Sequence, residues 1–144
     1  MASIDRMDWH YGSENFPAGL SNENGGTHIG MYLAWIIKNG MIGEIHREEA
    51  QEEIQMILTQ EWTGKKFLIS VCDEKFWEED LNELGNKFTA AYYTENGYHA
   101  DYESSLLTGL NDLYEVEDSW ENYMKLEPII NQRYAEWKVG ASFN

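Results

Sequence analysis

The segment at 25–40, GGTHIGMYLAWIIKNG, constrains the fold more than any other stretch of the chain. Ile29 and Leu33 keep the helical period, and bulky apolar residues fill the remaining faces of the same helix. A helix that is apolar all round is normally buried among other elements of its domain. Thr27 is a good N-cap and the final glycine a good terminator, so the sequence predicts a central helix from about 28 to 39.

The same segment has features that could be read as a phosphate loop or a membrane helix. A P-loop needs Gly-Lys-Ser/Thr after four spacer residues, and the dinucleotide fingerprint needs a preceding strand; neither is present. The apolar run from Ile29 to Ile37 contains Gly30 and is much shorter than the roughly 20 residues of a membrane helix. We therefore interpret the segment as the start of a buried helix.

Helical periodicity and capping residues recur further along the chain. The additional predicted helices lie at 48–60, after the Thr63 cap, after the capping box Asp80–Glu83, and from Asp118 or Ser119 to Trp137, the last one kinked or divided at Pro128.

The remaining segments lack helical signals. Asn96-Gly97 is a turn dipeptide, and the alternation of Tyr98, Ala100 and Tyr102 predicts a short β-hairpin near 90–103. Residues 1–26 are rich in Gly, Pro, Asn and Ser, which predicts a loop segment docked on the helical body. The expected fold is a mainly α, compact single domain over 1–144, with about five helices and at most that one hairpin.

Charge limits the classes of partner. The chain has 26 acidic against 10 basic residues, a net charge of −16 at pH 7. Such a surface repels nucleic-acid phosphates and anionic lipids, so we expect neither nucleic acid nor membrane as a partner. Cys72 is the single cysteine, and the N-terminal residues contain no apolar signal sequence; together they predict a cytoplasmic protein.

No catalytic or metal-binding motif is recognisable from spacing. The four histidines have no helical i, i+4 pairing, and Cys72 has acidic neighbours that disfavour a thiolate. We expect no enzymatic activity, no cofactor and no metal. The alternative is a small enzyme or a ligand- or metal-binding domain in which Asp8, His10 and His28 come together from separate segments.

The distribution of acidic residues indicates a protein-binding surface. No Lys or Arg occurs from Phe88 to Met124, and aromatic residues alternate there with carboxylates. Aromatic anchors surrounded by acids suit the capture of a basic protein, unless the rings belong to the core and the acids only keep the chain soluble. The predicted partner-binding residues are Asp73, Glu74, Trp77, Glu78, Glu79, Asp80, Glu95, Tyr98, Asp101, Tyr102, Glu103, Asp112, Glu115, Glu117, Asp118 and Trp120.

Four motifs resemble an uncharacterised bacterial domain family. They are DWHYG at 8–12, FPAGL at 16–20, GGTHIGMYLAW at 25–35 and SWENYMKLEPIINQRYAEW at 119–137. The resemblance covers nearly the whole chain and transfers no catalytic residue. Small acidic domains of this kind also resemble, as a class, the immunity proteins of polymorphic toxin systems. That resemblance implies an immunity protein, an antitoxin that occludes the basic active site of a cognate toxin.

Overall fold

The computed structural model describes residues 3–140, and within them the fold is mainly α, as the sequence predicts. Its helices are α1 (Met7–Tyr11), α2 (Thr27–Lys38), α3 (Glu44–Glu49), α4 (Gln51–Leu58), α5 (Gly64–Ser70), α6 (Glu83–Tyr92), α7 (Gly97–Leu106) and α8 (Trp120–Lys138). Two short strands, β1 (Ser3–Arg6) and β2 (Lys75–Trp77), form an antiparallel ribbon.

Three short 3₁₀ turns complete the described secondary structure. We call them the Glu23 turn (Asn22–Gly26), the Asp80 turn (Glu78–Asp80) and the Tyr114 turn (Leu113–Glu115). None of the helices in residues 3–140 combines the length and the apolar character that crossing a bilayer requires.

Helix α2 lies at the centre of the molecule, which confirms the prediction made from its apolar faces. Every residue from Thr27 to Ile37 is buried. The helix packs most extensively against α5 and also contacts α4 and the Glu23 turn. Its N-cap is Gly26 rather than Thr27, which is instead the first helical residue.

The core is built largely from aromatic rings. Tyr32 of α2 lies 4.8 Å from Tyr93 and 4.9 Å from Tyr98, measured between ring centroids. One turn further along α2, Trp35 contacts Phe88 and Tyr134 at 5.4 Å each. Because such rings bury large apolar areas and prefer tilted contacts, they hold α6, α7 and α8 against α2.

The prediction of a hairpin near 90–103 is wrong, because residues 97–106 form helix α7. Tyr98 and Tyr102 are both buried, at 0% and 1% exposure, while Ala100 between them is exposed. Residues four apart share one face of a helix, so a tyrosine pattern that alternates as in a strand also fits a helix. Asn96 adopts a left-handed φ of 68° and starts the helix instead of closing a hairpin.

The N-terminal segment is more regular than predicted. Residues 1–26 were expected to be loop, but β1 and α1 occupy 3–11 and a 3₁₀ turn ends the segment. Asp5 of β1 pairs with Phe76 of β2, and the register is irregular between Ser3 and Asp5. This pairing fastens the start of the chain to the segment between α5 and α6.

Other helix boundaries differ in detail from the prediction. The helix expected at 48–60 is two helices that meet at Ala50, whose φ of −128° and ψ of 37° interrupt the helical backbone. Asn82, not Asp80, caps α6, and its side chain accepts a hydrogen bond from the Gly85 N–H at 2.8 Å. Helix α8 continues through Pro128 as a single helix.

Candidate functional site

A buried carboxylate and two histidines meet where the N-terminal segment joins α2. Asp5 comes from β1, His10 from α1 and His28 from the first turn of α2. The register irregularity in β1 adjoins Asp5, whose side chain is turned inward and is 6% exposed. We call Asp5, His10 and His28 the N-terminal cluster.

Three polar atoms of the N-terminal cluster converge on one another. The Nε2 atom of His10 lies 2.7 Å from Oδ1 of Asp5. The Nε2 atom of His28 lies 3.2 Å from Nε2 of His10 and 3.5 Å from Oδ2 of Asp5. The two imidazole rings meet edge to face, with centroids 4.4 Å apart. The ring nitrogens therefore point at a shared position beside the carboxylate.

Tyrosine hydroxyls surround the N-terminal cluster. The Tyr93 hydroxyl donates to Oδ2 of Asp5 at 2.5 Å, and Nδ1 of His10 is hydrogen-bonded to the Tyr114 hydroxyl at 2.6 Å. These bonds fix the orientation of the carboxylate and of the His10 ring. The Nδ1 atom of His28 has no hydrogen-bond partner among the described residues.

Burial and hydrogen bonding set the charge states in this region. Burial raises the pKa of Asp5, but hydrogen bonds and charge from His10 and His28 outweigh it and hold the pKa well below its usual range. Burial lowers the pKa of His28, against the opposing effect of Asp5. Burial and the neighbouring His28 also lower the pKa of His99 to about 4. The cluster therefore holds an ionised Asp5 beside the buried His28.

The geometry of this cluster corrects one part of the alternative hypothesis, in which Asp8, His10 and His28 form the site. His10 and His28 do meet, but Asp8 does not join them. The side chain of Asp8 instead receives two hydrogen bonds from Arg6, at 2.8 and 2.9 Å, at the surface. Asp5 takes its place, a residue that the sequence analysis missed because it has no characteristic spacing from either histidine. Its one signal was its position beside the apolar residue Ile4.

A second polar cluster joins α3 to the Asp80 turn. Nε2 of His46 lies 2.6 Å from Oδ1 of Asp80, and Oδ2 of Asp80 accepts the Trp77 N–H at 2.7 Å. Sγ of Cys72 lies 4.0 Å from the same His46 nitrogen. Burial and the Asp80 carboxylate raise the pKa of the Cys72 thiol, so it is not an activated nucleophile.

Four of the predicted partner-binding residues are buried and cannot contact a partner in this structure. Tyr98 and Tyr102 are core residues of α7, and Asp80 binds His46. Asp101 is held by a two-point ion pair with Arg133, at 2.9 and 3.1 Å. For the two tyrosines, the alternative interpretation of the aromatic residues as core is correct. Their helical spacing and their burial were hidden by the apparent strand pattern.

The other predicted partner-binding residues are exposed or half-buried. Two of the acids have cationic neighbours: Asp73 lies 3.5 Å from Lys75, and Asp118 lies 4.0 Å from Lys65. The predicted acids that form no ion pair within residues 3–140 are Glu74, Glu78, Glu79, Glu95, Glu103, Asp112, Glu115 and Glu117.

Glu23 of the Glu23 turn lies near acidic residues of two segments that contain predicted partner-binding acids, 73–80 and 95–118. Glu23 and Glu74 line the same surface groove. Burial raises the pKa of Asp118, and the charges of Glu117 and Glu23 raise it further, against the hydrogen bond from Thr63 and the charge of Lys65. We call Glu23, Glu74, Glu117 and Asp118 the acidic face. Sequence reasoning missed Glu23, which lies outside both acidic segments.

These features define a mainly α-helical domain whose N-terminal ribbon is held against a central helix, beside a surface of surplus negative charge. The chain belongs to the family of the domain of unknown function DUF7832, whose family model matches residues 3–116. This confirms the predicted membership of an uncharacterised domain family. The match includes both polar clusters and ends before α8, so the motif at 119–137 lies outside it.

Neither the curated proteins nor the solved structures contain a match to this chain.

Proposed function

We propose that this chain is an immunity protein, which binds a cognate bacterial toxin and occludes a basic active site. The observation that carries the proposal is the acidic face, where Glu23 and Glu117 act electrostatically on the partly buried Asp118. Like charges on one surface repel one another, and a cationic side chain from a partner would relieve that repulsion. Toxins that act on nucleic acids or nucleotides have basic clefts, for which such a surface is complementary.

Tryptophan side chains near the acidic segments supply candidate anchors. Trp77 lies three positions after Glu74, and Trp120 lies two positions after Asp118; both are half-buried. The Trp120 indole N–H donates to the Trp62 carbonyl at 3.2 Å, which fixes its ring. A rigid aromatic ring loses little conformational entropy on binding, so of the four predicted aromatic anchors these two remain and the buried Tyr98 and Tyr102 do not.

The test is a toxicity assay with the toxin encoded beside this gene. Co-expression of the wild-type chain should restore growth. The double variant Glu23→Lys/Glu117→Lys should lose protection, because it removes two charges of the acidic face and adds two cations. The double variant Glu49→Lys/Glu52→Lys makes the same change in net charge at exposed positions of α3 and α4 and should still protect.

Two results would contradict the proposal. If the toxin kills equally well with and without the wild-type chain, the chain does not neutralise it. If both double variants lose protection to the same extent while remaining folded, net charge matters and the acidic face has no special role.

The N-terminal cluster favours a second candidate, a ligand- or metal-binding domain. His10 and His28 converge as that alternative requires. Their side chains are 16% and 1% exposed, and that of Asp5 is 6% exposed. A site this closed suits an ion better than an organic substrate, so the cluster supports ion binding more strongly than it supports an enzymatic reaction.

A further inference from the structure

We propose that Asp5, His10 and His28 bind one divalent first-row transition-metal ion, of which Zn²⁺ fits the site best. The ion would be coordinated by Nε2 of each histidine and by the Asp5 carboxylate. This inference is independent of the proposed immunity function, because it concerns a different part of the molecule and a different kind of ligand.

The separations of the donor atoms are those of a metal coordination shell. Ligands of a tetrahedral Zn²⁺ at 2.0–2.1 Å from the ion are about 3.3–3.4 Å apart. In the N-terminal cluster the two Nε2 atoms are 3.2 Å apart, and Nε2 of His28 lies 3.5 Å from Oδ2 of Asp5. The 2.7 Å contact of His10 is shorter and goes to the other carboxylate oxygen, Oδ1, as expected of a hydrogen bond that an ion would replace.

Without a metal ion, the contact between the Nε2 atoms of His10 and His28 is poorly satisfied. At most one of the two facing Nε2 atoms can donate to the other, and both compete for the Asp5 carboxylate. A divalent cation would accept both nitrogen lone pairs and neutralise the buried carboxylate at once.

The surrounding hydroxyls resemble the outer shell of a metal site. Metal-binding histidines usually hydrogen-bond through the ring nitrogen that does not touch the metal. Nδ1 of His10 has that bond, to Tyr114, and the Asp5 carboxylate accepts the Tyr93 hydroxyl. These contacts would hold the His10 ring and the carboxylate in the orientation that leaves their donor atoms pointing inward.

The donor set decides which ions fit. Two imidazoles and one carboxylate, without a thiolate, suit Zn²⁺, and they also form the facial triad of non-haem Fe²⁺ sites. Tetrahedral Zn²⁺ needs only one further ligand, which water can supply beside the partly exposed His10. Fe²⁺ prefers more open positions than this enclosed site offers. Zn²⁺ therefore fits best, and metal analysis distinguishes the two.

Metal binding would fasten three separate elements together. Asp5, His10 and His28 belong to β1, α1 and α2, and each is in a different part of the first 28 residues. An ion between them would add to the β1–β2 pairing and stabilise the docked N-terminal segment. We therefore expect chelation to lower the thermal stability of the protein and not only to remove the ion.

The experiment is metal analysis of the purified full-length chain, followed by Co²⁺ titration after EDTA treatment and dialysis. We expect one Zn²⁺ per chain, or one bound after addition of a single equivalent. Co²⁺ should give the intense visible bands of a tetrahedral ion without the thiolate charge-transfer band that Cys72 would produce. EDTA should lower the Tm of the wild-type chain by several degrees.

Two variants distinguish the N-terminal cluster from the His46–Cys72–Asp80 cluster. His10→Ala should abolish stoichiometric binding and the effect of EDTA on Tm, whereas Cys72→Ser should retain both. His10 is at the rim of the cluster, so its truncation disturbs the core least. Because the Co²⁺ spectrum is recorded on the wild-type chain, the test does not depend on how well a variant folds.

Three outcomes would overturn the inference. The wild-type chain could fail to bind either Zn²⁺ or Co²⁺ stoichiometrically. Binding could persist in a folded His10→Ala variant. A thiolate-to-Co²⁺ band that disappears in Cys72→Ser would place the ion at the other cluster. Stoichiometric iron instead of zinc would retain the site and overturn the choice of ion.

Discussion

Gly30 of α2 and Gly64 of α5 meet backbone to backbone where the two helices cross. A Cβ atom on Gly64 would overlap the carbonyl oxygen of Gly30, and a Cβ on Gly30 would overlap the backbone of Gly64 and Lys65. Glycine at both positions lets the helices approach more closely than any side chain allows. The glycine inside the THIGM motif is therefore a packing residue, which explains why an otherwise continuous apolar run contains it.

Gly64→Ala should destabilise the protein strongly, because the added methyl group has backbone atoms on the opposite side and no flexible side chain to displace. Overpacking of this kind costs about 1–3 kcal/mol, and a backbone clash costs at least the upper end of that range. Urea denaturation measures the change. Ser70→Ala, at an exposed position of the same helix, is the control and should alter the free energy of unfolding by less than about 0.5 kcal/mol.

Arg133→Met should destabilise the contact between α7 and α8. The guanidinium makes two hydrogen bonds to Asp101, whose side chain is 11% exposed. Hydrogen bonds to charged groups contribute about 1.5–3 kcal/mol, and the partial exposure of Arg133 places the expected loss near the lower end. Chemical denaturation of Lys125→Met, an exposed position on the same helix, provides the comparison. Equal losses of unfolding free energy in the two variants would mean that the ion pair does not stabilise the protein.

Glu127→Gln should reveal a stabilising contribution that depends on pH. Burial raises the pKa of Glu127, but hydrogen bonds from Lys38 and Tyr123, at 2.7 and 2.8 Å, outweigh it, so the pKa lies below its usual value. A carboxyl group with a lowered folded-state pKa stabilises the fold above its unfolded-state pKa and loses that effect as the pH falls. The free energy of unfolding of the wild-type protein should therefore exceed that of the variant by about 1 kcal/mol at pH 7.

The difference between wild type and Glu127→Gln should shrink as the pH falls below about 4.5, the ordinary glutamate value. Urea denaturation at a series of pH values measures it. The matched control is Glu83→Gln, which removes an exposed ion pair with Lys87 and should show almost no difference at any pH. A Glu127 effect that is the same at pH 3 and pH 7 would refute the electrostatic explanation.

Pro128→Ala should stabilise the protein. Pro128 lies inside α8 and cannot donate the backbone hydrogen bond that the helix interior normally makes. Proline costs about 3 kcal/mol relative to alanine at such a position, partly offset by the restriction that it places on the unfolded chain. We expect a net gain of about 1–2 kcal/mol. Thermal and chemical unfolding should agree, and Met124→Ala, 52% exposed in the same helix, should change stability little.

If the proposed immunity function holds, association with the toxin should depend on salt and on the acidic face. Steering by opposite charges raises association rates at low ionic strength, and mutation of surface charges changes mainly the association rate. Glu23→Lys/Glu117→Lys should lower that rate about tenfold or more and weaken its salt dependence. Stopped-flow or surface-based kinetics at two salt concentrations measures the effect. A salt-independent rate for the wild-type chain would show that the acids do not guide the encounter.

Features that depend on local sequence could be predicted well. The all-apolar faces of α2 required burial, and Thr63 and Ser119 cap α5 and α8 through hydrogen bonds to residues three positions on. Tyr98 and Tyr102 could not be assigned from spacing alone, because positions four apart coincide on a helix and on a strand. Burial of these tyrosines against α2 selects a helix over a strand for this segment, and no local sequence pattern records that burial.

The N-terminal cluster could be predicted only in part. His10 and His28 were recognised as a pair because both lie in motif-like segments, but nothing in the sequence related Asp5 to them. Asp101 illustrates the same limit, because its partner Arg133 lies 32 residues further on. Contacts of this kind depend on how helices are arranged in three dimensions, and a single sequence records them only through the types of residue involved.

The hydrogen bonds of the N-terminal segment also determine when it can assemble during synthesis. The tyrosine that binds Asp5 lies 88 residues downstream, and the tyrosine that binds His10 lies 104 residues downstream. A growing chain leaves the ribosome in the order of its sequence, so Asp5 and His10 emerge well before the tyrosines that complete their contacts. Until then the Asp5 carboxylate and the His10 ring lack the hydroxyl groups that fix their orientation in the folded protein.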